Sequence, residues 1–235
     1  MARTIPIALE IGSKRVFAVA LDWPGWSRGG RDEPEAIEAL VAYAPRYAMA
    51  VRRVAPEFEA AADPSAIEII ERLQGGAGTD FGAPGVAPSS DSGSLDEAEA
   101  KRLIDLLWAA WQAFDDAAAS AIGIELRKGP RGGGRDLERM TAHVADAEQA
   151  YLSELGGKTE KMANANPTAV QAAVREVAVR TLRTRALGVV PVAGPRRTRP
   201  FWTSRFFVRY SAWHSLDHAW ELEDRAVPPR RTSGA

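Results

Sequence analysis

The sequence predicts an α+β protein, in which a small N-terminal ββαβ unit is followed by a bundle of four helices. Short β-favouring runs lie before residue 75, whereas apolar residues recur with helical period after residue 93. Glycine, proline and serine dominate the stretch between these two parts. We therefore expect a unit at 1–74, a linker at 75–93, a bundle at 94–225 and a flexible tail at 226–235.

Three strands are expected in the N-terminal unit. The first two, at Ile5–Ile11 and 15–21, are separated by Gly-Ser-Lys at 12–14, which is typical of a hairpin turn. The third, at 66–73, is a short β-branched run that a proline and a glycine bound on its two sides.

One helix is expected between the second and third of these strands. Asp32 and Pro34 indicate its start, because proline is tolerated in the first turn of a helix. Pro45 should kink or end it, after which the helix can resume to Arg53.

Four helices of comparable length are expected after the linker, which indicates a four-helix bundle. Ser94-Leu95-Asp96-Glu97 has the pattern of a capping box, and Gly156-Gly157 is typical of a helix C-terminus. The connection at 188–202 is long enough to be a crossover rather than a tight turn. The predicted helices span about 94–122, 136–155, 166–187 and 203–225.

Composition excludes several classes of function. The chain has 30 basic and 31 acidic residues, a net charge of −1, so no overall basic bias favours nucleic acid as a partner. It has no cysteine, which excludes disulfides, thiolate metal sites and cysteine nucleophiles. Any thiol chemistry would need a thiol brought in as a cosubstrate.

The expected location is the cytoplasm, and the expected partner is a small-molecule substrate. Residues 1–9 lack the pattern of a signal peptide, and nowhere do eighteen apolar residues run together, so no membrane partner is expected. A homodimer stays open.

The three histidines of the chain are candidate metal ligands. His214 and His218 are four residues apart on one predicted helix, so their side chains share a face, and His143 lies at a matching level of another helix. Three imidazoles leave a coordination position open for water or substrate. Zinc is the default, and nickel or iron also suits imidazole. The alternative is three unrelated histidines.

Other residues near the histidines are candidates for the same site. Glu221 continues their face and could be a fourth ligand, a general base or a solvated carboxylate. Asp217 and Glu148 could orient imidazole rings. For cofactor binding, we expect Trp213 or Trp220 to line the pocket and Arg131 or Arg135 to approach its mouth, where a cation would attract a thiolate or carboxylate.

The segments RDLERMTAHVADAEQAYLSELG and YSAWHSLDHAWELEDR resemble the DinB/YfiT-like family of metalloenzymes. The resemblance covers about 95–225 and rests most on one histidine in the second helix and an H-x-x-x-H pair in the fourth. It implies His143, His214 and His218 as ligands of a divalent metal. It also implies a transferase or isomerase, some members of which use mycothiol or bacillithiol as cosubstrate.

The N-terminal unit is similar to HicB-like antitoxin domains. The similarity rests on Leu21-Asp22-Trp23-Pro24-Gly25-Trp26, then Gly29-Gly30 and the helix containing Glu35-Ala36. It implies a binding module for a toxin or RNA; alternatively, proline and glycine only form a turn after the hairpin. A third interpretation of the whole chain is a structural protein, in which the metal stabilises the bundle and takes no part in catalysis.

Two further patterns favour ordinary structure. The glycine-rich stretch at 129–135 is typical of an interhelix loop, although it could also bind the carboxylate of a thiol cosubstrate at the following helix N-terminus. Arginines recur between 175 and 209, but those of the third helix are spread around it. Solvation or ion pairing is therefore favoured over contact with nucleic-acid phosphates.

Overall fold

The structure of the protein, a computed structural model, describes residues 4–60, 63–128, 134–160, 166–194 and 197–226. A four-stranded sheet precedes four long helices, which confirms the predicted α+β class. Apart from Ala226, the predicted tail lies outside the described residues. The elements are β1 Ile5–Ile11, β2 Val16–Ala20, β3 Ser27–Gly30, α1 Glu33–Ala42, α2 Ala44–Val51, β4 Ile67–Gln74, α3 Ala77–Phe81, α4 Glu97–Ser120, α5 Leu137–Leu155, α6 Pro167–Ala186 and α7 Ser204–Arg225.

The sheet has the strand order β3-β2-β1-β4. Strands β1 and β2 form the predicted antiparallel hairpin, and β4 lies parallel to β1 on its other side. Parallel neighbours need a crossover connection, which α1 and α2 provide. The inner strands are buried on both faces: Ile7 and Leu9 pack with α1, whereas Phe17 and Val19 pack with α7.

Strand β3 corrects the predicted ββαβ order of the N-terminal unit to βββααβ. Its sequence, Ser-Arg-Gly-Gly, contains no β-branched or aromatic residue, so propensity does not indicate a strand. It is a strand because it pairs with β2, with Ser27 opposite Val19 and Gly30 opposite Val16. A Cβ on Gly30 would lie 2.3 Å from the backbone nitrogen of Ala36, so glycine is required where α1 packs against this edge.

Two helices cross from β3 to β4, in agreement with the predicted interruption at Pro45. The Asp32 side chain caps α1 by accepting a hydrogen bond from the backbone N–H of Glu35. Tyr43 is the C-cap of α1 and the N-cap of α2, and Pro45 lies in the first turn of α2. The Tyr47 side chain of α2 is fully buried against the sheet and donates a hydrogen bond to the Pro24 carbonyl.

The segment at 75–93, expected as a linker, is folded onto the sheet. It contains the short helix α3 and a 3-10 turn at Ser89–Ser92. The buried carboxylate of Glu10, in β1, accepts hydrogen bonds from the Thr79 hydroxyl and from the backbone N–H groups of Gly85 and Val86. Backbone groups supply part of this attachment, which is why side-chain composition does not reveal it.

The four long helices pack as a ring of neighbours, in which α4 contacts α7 and α6, and α5 contacts α6 and α7. Asp96, rather than Ser94 of the expected capping box, caps α4, because its side chain accepts from the backbone N–H of Glu99. Gly156, with φ of 94°, ends α5 as expected. No helix in the described ranges combines the length and hydropathy needed to cross a lipid bilayer.

A buried arginine of α7 joins the bundle to the N-terminal unit. Arg209 donates to both carboxylate oxygens of Asp91, at 2.9 and 2.6 Å, and to the backbone carbonyls of Ala20 and Leu21 at the end of β2. Only 1% of the surface of Asp91 is exposed. Because the guanidinium and the Asp91 carboxylate are both buried, these hydrogen bonds fix α7 against both the sheet and the 75–93 segment.

We predict that Arg209→Ala lowers the free energy of unfolding by about 3–5 kcal/mol, because it leaves the Asp91 carboxylate buried without a partner. The control is Arg180→Ala, which removes an exposed pair with Glu176 at 3.9 Å and should cost less than about 1 kcal/mol. Urea denaturation of both variants measures the difference. Equal stability of the two variants would contradict the role given to Arg209.

Candidate metal centre

The packing of α5 against α7 brings the three histidines together. His143 lies in the second turn of α5, His214 lies at the middle of α7, and His218 lies one turn later. One ring nitrogen from each histidine lies within 4.8 Å of the others. His214 and His218 are buried, and His143 is half-buried. The structure thus places the three predicted ligands close together.

One distance between two of the donor atoms matches that of two ligands on a metal ion. The Nε2 atoms of His143 and His214 are 3.3 Å apart. Two nitrogens bound at the usual zinc distance in a tetrahedral arrangement are separated by roughly 3.3–3.4 Å. The donor chemistry also fits, since neutral imidazole is a common ligand of zinc, nickel and iron. These three residues could therefore hold a divalent ion.

Glu221 lies behind His218. One carboxylate oxygen is 3.0 Å from Nδ1 of His218, and the other accepts a hydrogen bond from Arg225 at 2.7 Å. A carboxylate can only accept, so Nδ1 of His218 carries a proton, and in the neutral imidazole Nε2 is then the nitrogen with the free lone pair. This arrangement orients the ring with the tautomer that a metal ligand needs.

Arg225 was not among the candidates from sequence, yet it organises this side of the site. Besides Glu221, it donates to the backbone carbonyls of Arg127 and Arg135. Its side chain is buried, although it lies in the last turn of α7, where an arginine is ordinarily solvated. The signal that could have found it is its spacing from Glu221, which is i, i+4 on the same helix.

The residues expected to bind a cofactor lie in different places. Trp213 is buried beside the site, with its ring centroid 6.2 Å from that of His214 and 6.2 Å from that of Phe17. Trp220 instead packs on Tyr43 of the N-terminal unit, because it follows His218 by two residues and points about 160° away from it. Arg135 is exposed next to the site, whereas Arg131 lies outside the described residues.

Asp217 and Glu148 have partners other than the histidines. Asp217 forms a salt bridge with Arg28 at 2.9 Å. Glu148 is buried between α5 and α6, where Arg175 donates to both of its oxygens. Within the described residues neither carboxylate is hydrogen-bonded to an imidazole, so the expected orienting role falls to Glu221 instead.

Burial and nearby positive charge favour the neutral form of His143 and His214. Burial lowers the pKa of His214 well below its ordinary value, and the other two histidines and Arg135 lower it further. Burial also lowers the pKa of His143, with Arg135 as the next cause. The hydrogen bond from His218 lowers the pKa of Glu221, so this group is a carboxylate. Neutral imidazoles are the form that ligates metals.

An aromatic wall covers His214 on the side away from His218. The ring of Tyr151 stands edge-on to His214, with a centroid distance of 5.4 Å, and Tyr210 packs edge-on against Tyr151 at 5.0 Å. Tyr151 was not identified from sequence. It lies eight residues after His143 in α5, so helical spacing places it on the same face two turns later.

Comparisons of the chain with protein-family models, with curated proteins and with solved structures give no match.

We predict that the metal-free protein loses stability as the pH falls below about 6.5, the ordinary histidine value. The unfolded chain then binds a proton at His214 that the native state resists, because its native pKa is lowered. The free energy of unfolding should fall by up to about 1.4 kcal/mol per pH unit for this group. Urea denaturation in chelator between pH 7.5 and 5.5 measures the slope. His214→Gln should have a shallower slope, and an unchanged slope would contradict this origin.

Proposed function

We propose that this protein binds a divalent metal ion through His143, His214 and His218 and is a metal-dependent transferase or isomerase of the DinB/YfiT-like type. The single observation that carries the proposal is the 3.3 Å separation of two Nε2 atoms that come from different helices. Nothing in local helical geometry requires this separation, because α5 and α7 are distant in sequence. The H-x-x-x-H pair of α7 then adds the third donor.

Zinc is the ion that we favour, since three imidazoles suit it. Nickel and iron are the alternatives. When bound, the ion supplies a Lewis acid with a coordination position left for a ligand. The residues of the chain hold and orient the donors: Glu221 fixes the proton on Nδ1 of His218, and Arg225 fixes Glu221.

Arg135 indicates that the substrate or cosubstrate carries negative charge. Its guanidinium is exposed, and its charge acts on both His143 and His214. A cation at that position attracts a thiolate or a carboxylate toward the donors. Because the chain has no cysteine, a thiol in this reaction must be a low-molecular-weight cosubstrate.

The second candidate function is the HicB-like binding module, with the histidine cluster as a structural metal site. One observation favours a protein partner over RNA for it: β4 is an edge strand, and its Ile70 is 55% exposed. An unpaired strand edge can accept a strand of another protein. Pull-down by the full chain, compared with Ile70→Lys, tests this alternative.

We predict that the protein binds one equivalent of Zn²⁺. Each of His143→Ala, His214→Ala and His218→Ala should weaken binding by more than about 100-fold, because loss of a residue that only hydrogen-bonds to a metal ligand already weakens binding by about 10–100-fold. Glu221→Gln should weaken it by about 10–100-fold. The matched control is Asp217→Asn, the same change on the same helix at a residue paired with Arg28, which should have no effect. Competition with a chelating dye measures the affinities. Binding that survives the histidine substitutions would exclude the proposed centre.

We predict that the zinc-loaded protein catalyses the reaction of mycothiol or bacillithiol with an aryl halide. The thiol sulfur forms a bond to the ring carbon, the carbon–halogen bond breaks, and a halide ion and the thiol proton are released. The absorbance of the thioether product measures the reaction. Arg135→Glu should raise KM for the thiol about tenfold with little change in kcat, because it reverses a charge that attracts the thiolate. Arg139→Glu, at another exposed position, where the arginine pairs with Asp136, is the control. Full zinc occupancy and chelator-sensitive thermal stability without turnover of any thiol would instead support a structural metal.

A further inference from the structure

A groove with a cavity volume of about 530 Å³ lies on the other side of α7 from the histidines. It runs between α2 of the N-terminal unit and α4 of the bundle, and Trp220 and Glu223 of α7 reach it. Ligand sites of small molecules ordinarily have volumes of roughly 300–1,000 Å³. The groove is therefore large enough to hold a ligand of its own, independent of the proposed metal centre.

The apolar part of this groove is exposed to an unusual degree. Trp108 of α4 is 44% exposed, and Met49 in α2 and Val54 just after it are 61% and 40% exposed. Trp108 is held in place by Trp111, which packs edge-on against it at a centroid distance of 5.1 Å. A fixed, exposed indole face offers a flat surface for stacking of an aromatic ring.

The charged part of the groove favours an anion. Arg46, Arg52 and Arg53 lie along one wall. Arg46 is already paired with Glu223 and Asp224, at 2.5 and 2.9 Å. Arg52 and Arg53 are exposed, and neither forms an ion pair within the described residues. The carboxylates of Asp116 and Glu223 also line the groove, but the three arginines outnumber them. Arg52 and Arg53 therefore offer contacts to the anionic group of a ligand, and Trp108 offers a contact to its aromatic ring.

We propose that this groove binds a small aromatic anion, with its ring against Trp108 and its anionic group at Arg52 and Arg53. The site does not depend on the histidine cluster, because Trp220 and Glu223 point away from the face of α7 that bears His214 and His218. Binding here therefore persists in a protein that has lost its metal ligands.

The test uses 8-anilinonaphthalene-1-sulfonate as an anionic probe and N-phenyl-1-naphthylamine as its uncharged counterpart, with the full chain. We expect one site for the sulfonate. The double variant Arg52→Glu/Arg53→Glu should weaken sulfonate binding at least about tenfold and leave the neutral probe unchanged. Trp108→Ala should weaken both probes. Arg183→Glu, on α6 away from the groove, is the charge control, and His214→Ala should bind the sulfonate as the unchanged protein does.

Two results would overturn the proposal. Sulfonate binding that is unaffected by Arg52→Glu/Arg53→Glu would show only a non-specific apolar surface. A dimer in sedimentation equilibrium that Trp108→Glu converts to monomer would show that a second copy of the chain covers the groove. Circular dichroism of each variant establishes that loss of binding is not loss of fold. If Trp108→Ala does not fold, the variant Arg52→Glu/Arg53→Glu, whose changes lie on the surface, still tests the proposal.

Discussion

The buried ion pair between Arg209 and Asp91 is the interaction on which the arrangement of the molecule depends. A guanidinium has donors in fixed directions, and Arg209 directs them to one carboxylate and two carbonyls that belong to different parts of the chain. Leaving any of these groups buried without a partner costs free energy. Helix α7 therefore cannot slide or rotate against the sheet without losing several hydrogen bonds together.

The position of α7 in turn determines where two of the three histidines lie. Trp213, one turn after Arg209, packs edge-on against Phe17 of β2, and this contact continues the attachment to the sheet. His214 follows directly and faces α5, and His218 lies one turn beyond it. The N-terminal unit thus supports the helix that carries most of the donor set, so the two parts of the chain share one structural task even if each also binds a ligand of its own.

Local patterns made part of this structure predictable from sequence. Helical period and capping residues are properties of short stretches of sequence. They predict that His214 and His218 share a face of α7, which turn of α5 carries His143, and where α5 begins and ends. Local propensity does not report contacts between residues that are distant in sequence. Such contacts determine the pairing of β3, the burial of Glu10 and the partner of Arg209. Trp220 shows the difference between the two kinds of feature. The helix that contains it was predictable, but the side chain that it contacts, Tyr43, belongs to the N-terminal unit.

Glu221 and Arg225 link the donor atoms to the chain connection that runs between α4 and α5. Arg225 donates to the carbonyls of Arg127 and Arg135, which both belong to that connection, and the Arg225 carbonyl accepts from the backbone N–H of Arg127. A cation at Nε2 of His218 would polarise the ring and make its Nδ1–H a stronger donor to Glu221. The same carboxylate holds Arg225, so the proposed ion would reinforce a continuous chain of charge-assisted hydrogen bonds. Arg135, whose charge acts on the histidines, is attached to this chain through its own carbonyl.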